Sequence, residues 1–546
     1  MAARRVNGVV LDIVLLSVFL CLVYVFVQRR GYLHGPAGVP RPRAFNQLRS
    51  VSKTSNENGA QQTNGASAQH PAMLTDSPKL GGLVDPRVAA ITDVRPTPCR
   101  DKRYDDVQPA VSVIIDFFDY QFFDMKTTLG SVLAHTPAQL IREIIIIDDG
   151  STLDYIIKEA DSYVTKLPNA RMLRNGVREG VTRARLKGAA SATAPVLVFL
   201  DTTVVCARGW LEPLLQLIAA EKSVIAVPHY DSINDPVSYD YKSTANGLVT
   251  TFSWRLNVRM VERAKASDVT APLASPVMRG NAFAVGKAYF ETLGGYDEGF
   301  TEAGGENLEL SLRAWMCGGA VRVLPCSRVG VLNLNDPIRV GSKSNIRRIA
   351  ELWLGDMKDF VYRQTDAASS SSSAAETASL ETRRRRLSSL QCRGLNWYVA
   401  DVAAGLVYKP TGGDVVDYGY LRVFNGLCAS VGNDSRVDLS ACALGVSMVM
   451  SRVFEWHSDG RLTAGGQCLA VKQSAYVLAD TCSSTDDHQK WEFRDKLFVN
   501  KWSQTCLMHV TDPDTKWGKR QIVMAQDCNG DKTKDKVFVR WEFVRM

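Results

Sequence analysis

The chain has 546 residues, enough for two or three domains at about 100 to 200 residues each. Hydrophobic content of 45%, charged content of 22% and a net charge of +8 exclude wholesale disorder and argue against a nucleic-acid binder. Part of the positive excess is local, in the run Arg383 to Arg386.

In chain order, the first predicted element is a membrane helix over Val9 to Val27, apolar except for Asp12, Ser17 and Tyr24. At about 1.5 Å per residue it just crosses a hydrocarbon core of roughly 30 Å. A cleaved signal peptide is the rival, but the stretch exceeds the roughly 7 to 15 apolar residues of such segments, and Gln28-Arg29-Arg30 is no small-residue cleavage site. Residues 28–96, rich in Gly, Pro, Ser, Asn and Gln, read as a flexible stem. Val111 to Ile115 and Ile144 to Ile147 then read as strands flanking a helix, a β-α-β unit with Asp148-Asp149-Gly150-Ser151 at its end. Val196 to Leu200 and Val224 to Val227 are further strands, with a helix from about Leu211 to Glu221 between them. Asp201-Thr202-Thr203 therefore tips a buried parallel strand, where an open α/β sheet places its ligand crevice. Residues i and i+2 of an extended chain point the same way, so an Asp and a His at this spacing would share one divalent cation; here the second position is a neutral hydroxyl.

Ser369 to Ser373 and the arginine run mark a linker over 365–390. Arg383 to Arg386 reads as a solvated basic face, with a proprotein-cleavage site as the alternative. In the tail, cysteine pairs begin at Cys428, Cys468 and Cys506, a near-regular repeat that suggests a threefold β-trefoil. The pairs Cys428/Cys442, Cys468/Cys482 and Cys506/Cys528 suggest disulfides and an oxidising lumen, and no CxxC or His-rich cluster competes for a zinc reading. Asn433-Asp434-Ser435 is a glycosylation sequon.

Arg178-Glu179-Gly180-Val181-Thr182-Arg183-Ala184-Arg185, Phe199-Leu200-Asp201, Gly209-Trp210-Leu211-Glu212-Pro213 and Gly304-Gly305-Glu306-Asn307-Leu308-Glu309 together resemble the polypeptide N-acetylgalactosaminyltransferases. The resemblance continues through Trp315, Cys317-Gly318-Gly319, Pro325-Cys326-Ser327, Asn345 to Arg348, Glu351 and Trp353 into a ricin-type lectin tail. It implies a GT-A α/β domain over 97–364 followed by an all-β lectin-like trefoil over 391–546. It also implies a Golgi type II membrane protein with a cytoplasmic tail of residues 1–8 and a single anchor over 9–27. The implied chemistry is manganese-dependent transfer of N-acetylgalactosamine from UDP-N-acetylgalactosamine to Ser or Thr of a protein acceptor. By resemblance the donor-binding residues fall on Asp149 and Arg178, the metal-binding aspartate on Asp201 and the active-site glutamate on Glu306. The implied disulfides are Cys99 with Cys326, Cys317 with Cys392 and the three tail pairs, leaving Cys206 as a buried thiol.

The departures cluster where donor chemistry would occur. Thr203 and Val331 stand at the positions of the family's two metal-binding histidines, so manganese is doubtful here. Asp116 adds a carboxylate beside the nucleotide pocket, Arg279-Gly280-Asn281 replaces Ala-Gly-Gly, Ala303 replaces a tryptophan, and the closing loop before Asn345 is short. In the tail, Ser430, Ala470 and Met508 take the places of the sugar-binding aspartates, with Tyr476 and Trp502 left as aromatic candidates. The leading expectation is a binding or modulatory protein of mucin-type O-glycosylation, with lost or much reduced catalysis and other Golgi glycosyltransferases among its partners. The alternative is an active transferase.

Overall fold

A computed structural model describes residues 83–544, apart from 106–107, 236–238, 264–267, 333, 335–337, 339, 341, 368–372, 413, 424–425, 443–451, 473–475, 512–520 and 529–540. The expected tail, membrane helix and most of the stem lie outside the described residues. Among those described, no helix is long and apolar enough to cross a membrane.

The residues from Val111 to Leu332 build one mixed sheet, whose central strands are runs of Val, Ile, Leu and Phe buried on both faces. The sheet contains β1 (Val111–Phe117), β2 (Ile141–Asp148), β3 (Ala170–Arg174), β4 (Val196–Leu200), β5 (Val204–Cys206), β6 (Val224–Ile233), β7 (Ala282–Gly286) and β8 (Ala320–Leu332). A short edge strand, Leu273–Ala274, is followed in order by β8, β6, β7, β4, β1, β2 and β3. The β4-β1-β2-β3 portion is parallel, with Ile114 opposite Ile145 and Phe199. Strand β7 returns antiparallel between β4 and β6, while β8 runs parallel to β6 and takes β5 on its far part. Helices α2 (Gln121–His135), α3 (Val181–Ser191) and α4 (Glu212–Ala220) connect these strands. This is the GT-A arrangement, with the carboxyl ends of β1, β2 and β4 opening on one side of the sheet.

Both expected boundaries of this domain move. The stem was expected to run to residue 96, but α1 (Pro86–Ala89) is capped by Asp85 and buries Val88 completely, with His135 Nε2 3.0 Å from the Val88 carbonyl. Packing against α2 therefore begins by residue 83, inside the segment expected to be stem, with Leu83 and Val84 against the main core. The expected linker over 365–390 is largely helical. Helix α7 (Ala374–Leu387) starts in a capping box in which Ser373 and Glu376 bond each other's backbone. The arginine run is not uniformly solvated. Arg383 is buried and donates to the carbonyls of Gly294 (3.1 Å) and Gly295 (3.3 Å), whereas Arg385 and Arg386 are exposed.

Residues after Cys392, expected within the second domain, first pack on the first. Arg393 N donates to the Met316 carbonyl (2.7 Å) and Tyr398 to the Pro276 carbonyl (2.8 Å). The trefoil strands begin at Val415 and form a twelve-stranded sheet system. Its core holds Leu421, Phe454, Leu469, Trp491, Leu507 and Trp541. The repeat is visible in hydrogen bonds: Trp491 donates to the Leu469 carbonyl (2.9 Å) and Trp541 to the Leu507 carbonyl (2.7 Å), each leucine following a repeat cysteine. A shared apolar cluster joins the domains, with Trp254, Phe360 and Tyr398 meeting Val415 and Tyr418. Five disulfides are present: Cys99–Cys326, Cys317–Cys392, Cys428–Cys442, Cys468–Cys482 and Cys506–Cys528. Cys206 is a buried free thiol, and burial pushes it well above the ordinary thiol range.

Helix α5 (Glu306–Met316) is fixed behind the crevice by a fully buried fork in which Arg313 donates to Glu309 at 3.1 and 2.7 Å. Trp353 of α6 (Lys343–Trp353) adds a bond to Glu309 Oε1 at 3.0 Å, and Arg313 also reaches the Gly295 carbonyl at 2.6 Å. Removing one partner of such a pair strands the other charge in the interior. Glu309→Ala is expected to destabilise the fold by about 3–5 kcal/mol. Denaturant unfolding of the variant checks this, and a loss within about 0.5 kcal/mol of the parent would contradict it.

Candidate functional site

Three strand tips and one helix start converge on a cavity of about 690 Å³. It is lined by Asp116 from β1, Asp149 after β2, Asp201 after β4, Arg185 from α3, Arg279 before β7 and Glu306 at the start of α5, with Arg178 at its side. The expected donor residues Asp149 and Arg178, the expected metal aspartate Asp201 and the expected catalytic Glu306 are thus brought together. Thr203 and Val331 are not on the lining.

Asp149 does a backbone task that its sequence position did not reveal. Its carboxylate accepts from Asn175 Nδ2 (2.8 Å), Glu179 N (2.9 Å) and Gly180 N (2.8 Å), so it holds the loop that carries Arg178. A carboxylate has about four acceptor sites, which leaves roughly one for a ligand. Gly150 makes the close approach possible: it sits at φ +77°, and a Cβ there would come within 2.6 Å of Arg178 N. The Arg178 guanidinium lies over the Phe118 ring, 4.2 Å from its centroid, a cation–π contact at the cavity wall.

The floor is an ion pair that residue-type arguments missed. Arg185 Nε donates to Asp116 Oδ1 at 3.0 Å, the guanidinium being buried and the Asp116 side chain 16% exposed, and Arg185 also reaches the Gly280 carbonyl at 3.4 Å. Burial raises the Asp116 carboxyl above the ordinary range, partly opposed by Arg185. A carboxylate at the place of Asp116, beside the expected nucleotide pocket, disfavours an anionic donor unless a cation compensates. The cation is Arg185, and the available signal was its place in the same basic motif as Arg178.

Asp201 is tied to the segment before β7. Its N–H donates to the Asn281 carbonyl (2.7 Å), Asn281 Nδ2 donates to Asp201 Oδ2 (3.2 Å), and Arg279 Nε donates to Asn281 Oδ1 (2.9 Å). The residues that replaced two small positions therefore bond to the aspartate side of the cavity. Gly280 between them, at φ +94°, is retained because Asn307 occupies the space of any side chain. Glu306 accepts from Gly304 N (2.7 Å) and Asn307 Nδ2 (2.9 Å), and burial pushes its carboxyl above the usual range.

For a manganese ion the donor set is poor. Thr203 is followed at once by the β5–β8 ladder, in which Val204 pairs with Val331, and Val331 is 1% exposed within the main apolar cluster. Among the described residues no group of three or more His, Cys, Asp or Glu side chains could hold a metal ion. Asp201 has no imidazole beside it, and the other lining carboxylates are engaged by Arg185, loop amides and the Gly304 turn, so the set does not fit a transition-metal site.

In the trefoil, Ala470 and Met508 are buried and Ser430 is half-buried, so positions expected to have lost sugar-binding carboxylates serve packing. Arg436 lies over the Tyr476 ring at 4.6 Å, and Trp502, 59% exposed, rests on His488 with centroids 4.0 Å apart. Asn433 is exposed in a turn.

Residues 112–290 match glycosyl transferase family 2, and residues 417–535 match the ricin-type beta-trefoil lectin domain. The chain is 31% identical to human polypeptide N-acetylgalactosaminyltransferase 10 over 444 residues, 77% of this chain and 73% of that protein. It is 30% identical to the probable N-acetylgalactosaminyltransferase 9 of Caenorhabditis elegans over 486 residues, 84% of this chain and 79% of that one. Rat polypeptide N-acetylgalactosaminyltransferase 5 is 33% identical over 422 residues, 74% of this chain but 44% of that longer protein, so the chain spans under half of that relative. Among solved structures, GalNAc-T7 with UDP, GalNAc and Mn2+ superposes with a TM-score of 0.57 at 25% identity, covering 84% of this chain and 86% of that one. With the GT-A sheet, the trefoil and similarity running through both, the chain belongs to the polypeptide N-acetylgalactosaminyltransferase family.

Proposed function

We propose that this protein is a family member whose sugar transfer is lost or much reduced and which acts by binding, modulating mucin-type O-glycosylation from the Golgi lumen as a single-pass type II membrane protein. Other glycosyltransferases of that compartment are its proposed partners. The observation that carries the reading is the fate of the second metal position. Val331 is part of the hydrophobic core, so of the three metal-ligand positions that the resemblance implies only Asp201 carries a ligating group, while Asp116, Asp149 and Glu306 on the same lining are engaged by Arg185, loop amides and the Gly304 turn. Neutralisation of a leaving diphosphate by a bound cation contributes several kcal/mol to such reactions. The guanidinium at the floor does not replace it, since Arg185 is already paired with Asp116.

A second reading, an active transferase moving N-acetylgalactosamine from UDP-N-acetylgalactosamine to Ser or Thr, is favoured by one observation: Asp149, Arg178, Asp201 and Glu306 still line a single cavity of about 690 Å³. Calorimetric titration with UDP and UDP-N-acetylgalactosamine, with and without manganese, separates the two. Under the binding reading, manganese leaves nucleotide affinity unchanged within about threefold, a difference of under 1 kcal/mol. Manganese-dependent affinity near about 1 µM would sink it.

The charge arrangement makes a further prediction. Asp116→Asn removes a negative charge from the floor and frees Arg185. At an effective dielectric near 20 and about 8 Å, one unit charge acts on another with about 2 kcal/mol. UDP affinity without metal is expected to rise about tenfold in this variant. An unchanged or weaker affinity in a folded Asp116→Asn protein would reject the charge account of the lost donor site.

A further inference from the structure

Where the chain passes from the first domain into the trefoil, a buried histidine is held between two carboxylates. His457 ends the strand Val453–His457, and its Nδ1 lies 2.9 Å from Asp414 Oδ2. Its Nε2 faces Thr463 Oγ1 at 3.1 Å and Glu455 Oε2 at 3.6 Å. Glu455 is almost fully buried and accepts from both Thr411 N (2.7 Å) and Thr411 Oγ1 (2.5 Å). Among the described residues its ion-pair partner is His457. Thr411 and Asp414 belong to the passage between domains. The preceding carbonyl of Tyr408 accepts from Trp254 Nε1, and the Tyr408 ring stacks on Tyr418 of the trefoil at 5.6 Å.

The remaining charges around the ring come from the turn that follows. Arg461 donates to Asp414 Oδ2 (3.0 Å) and to Asp459 Oδ2 (2.6 Å), and Lys501 approaches the turn at Gly460. Arg461 is thus spent on the two outer carboxylates, and Glu455, which also accepts from the Tyr408 hydroxyl and Thr411, has the imidazolium as its cation. Burial works against the charged ring, but Glu455 and Asp414 outweigh it and raise His457 above its ordinary value. A charged ring donates to both sides at once. A neutral ring keeps one N–H for Asp414 and accepts from Thr463 with the other nitrogen, which leaves Glu455 a buried carboxylate without a cation.

We propose that Asp414, His457 and Glu455 form a proton-operated clasp that fastens Thr411 and Asp414, and with them the entry to the trefoil, while the imidazole is charged, and slackens when it is not. Because the folded-state value is raised, the stabilisation is fully present below the unfolded value of about 6.5 and is lost as pH rises through the folded value. The clasp is therefore firm in an acidified compartment and looser in a neutral or alkaline one. It is independent of whether the cavity transfers sugar.

Hydrogen exchange of the Thr411 amide in the full chain, corrected for intrinsic rates, reads the clasp directly. Between about pH 5.5 and about pH 8.5 its protection is expected to fall at least tenfold. His457→Gln should flatten that profile, and Asp414→Asn should move its midpoint to lower pH. Protection that stays constant in the parent protein, or falls equally in His457→Gln, would overturn the proposal. Should His457→Gln fail to fold, Asp414→Asn decides: a midpoint that does not move also overturns it.

Discussion

A guanidinium buried beneath the crevice must be matched by an anion, and much of the site follows from how that need is met. Arg185 projects from α3 to Asp116 at the end of β1 and reaches the Gly280 carbonyl beside the segment leading into β7. One side chain thereby links the parallel half of the sheet to the strand that reverses within it. Taking either charge away would leave its partner in a medium that solvates ions poorly, so the pair locks both the geometry and the electrostatics of the cavity floor. The remaining carboxylates have different occupations: Asp149 binds loop amides, Asp201 binds Asn281, and Glu306 binds the turn before its own helix.

The parallel strands were legible because continuous apolar runs such as Ile144 to Ile147 leave little choice but burial on both faces. The trefoil was legible in the spacing of its cysteines, and the structure adds two tryptophans whose indoles bond to the residue after two of them. Boundaries were less so. Residues 83–96 look like stem by composition, yet they are docked by buried Val88 with its His135 contact, by Leu83 and Val84 against the main core, and by Ile91 beside Val205 and Ile233. Composition likewise reads the serine-rich stretch and arginines as a linker, whereas α7 is positioned by Arg383 reaching carbonyls almost ninety residues away in sequence. Such long-range satisfaction of buried polar groups leaves no local trace.

At the site itself, residue identities announced the changed ligand positions but not what the changes were used for. Val331 and Met508, at positions where the resemblance implies polar ligand groups, are both buried in apolar clusters. Arg279 and Asn281 are instead polar groups that bond to one another and to Asp201. Both arrangements leave the scaffold packed and its polar groups bonded, as expected where volume is filled and buried polar groups find partners.

The Cys99–Cys326 bridge also constrains how the molecule can be made. It spans 227 residues and encloses nearly the entire mixed sheet, joining the segment before β1 to the middle of β8. At a synthesis rate of about 5–20 residues per second, Cys99 leaves the ribosome about 10 to 45 seconds before its partner exists. Throughout that interval its thiol is available to other cysteines, and Cys206 and Cys317 emerge ahead of Cys326. Cys206 lies on β5, whose strand partner is β8, with Cys206 opposite Val329, so the strand that delivers Cys326 is also the one that takes the spare thiol into the sheet.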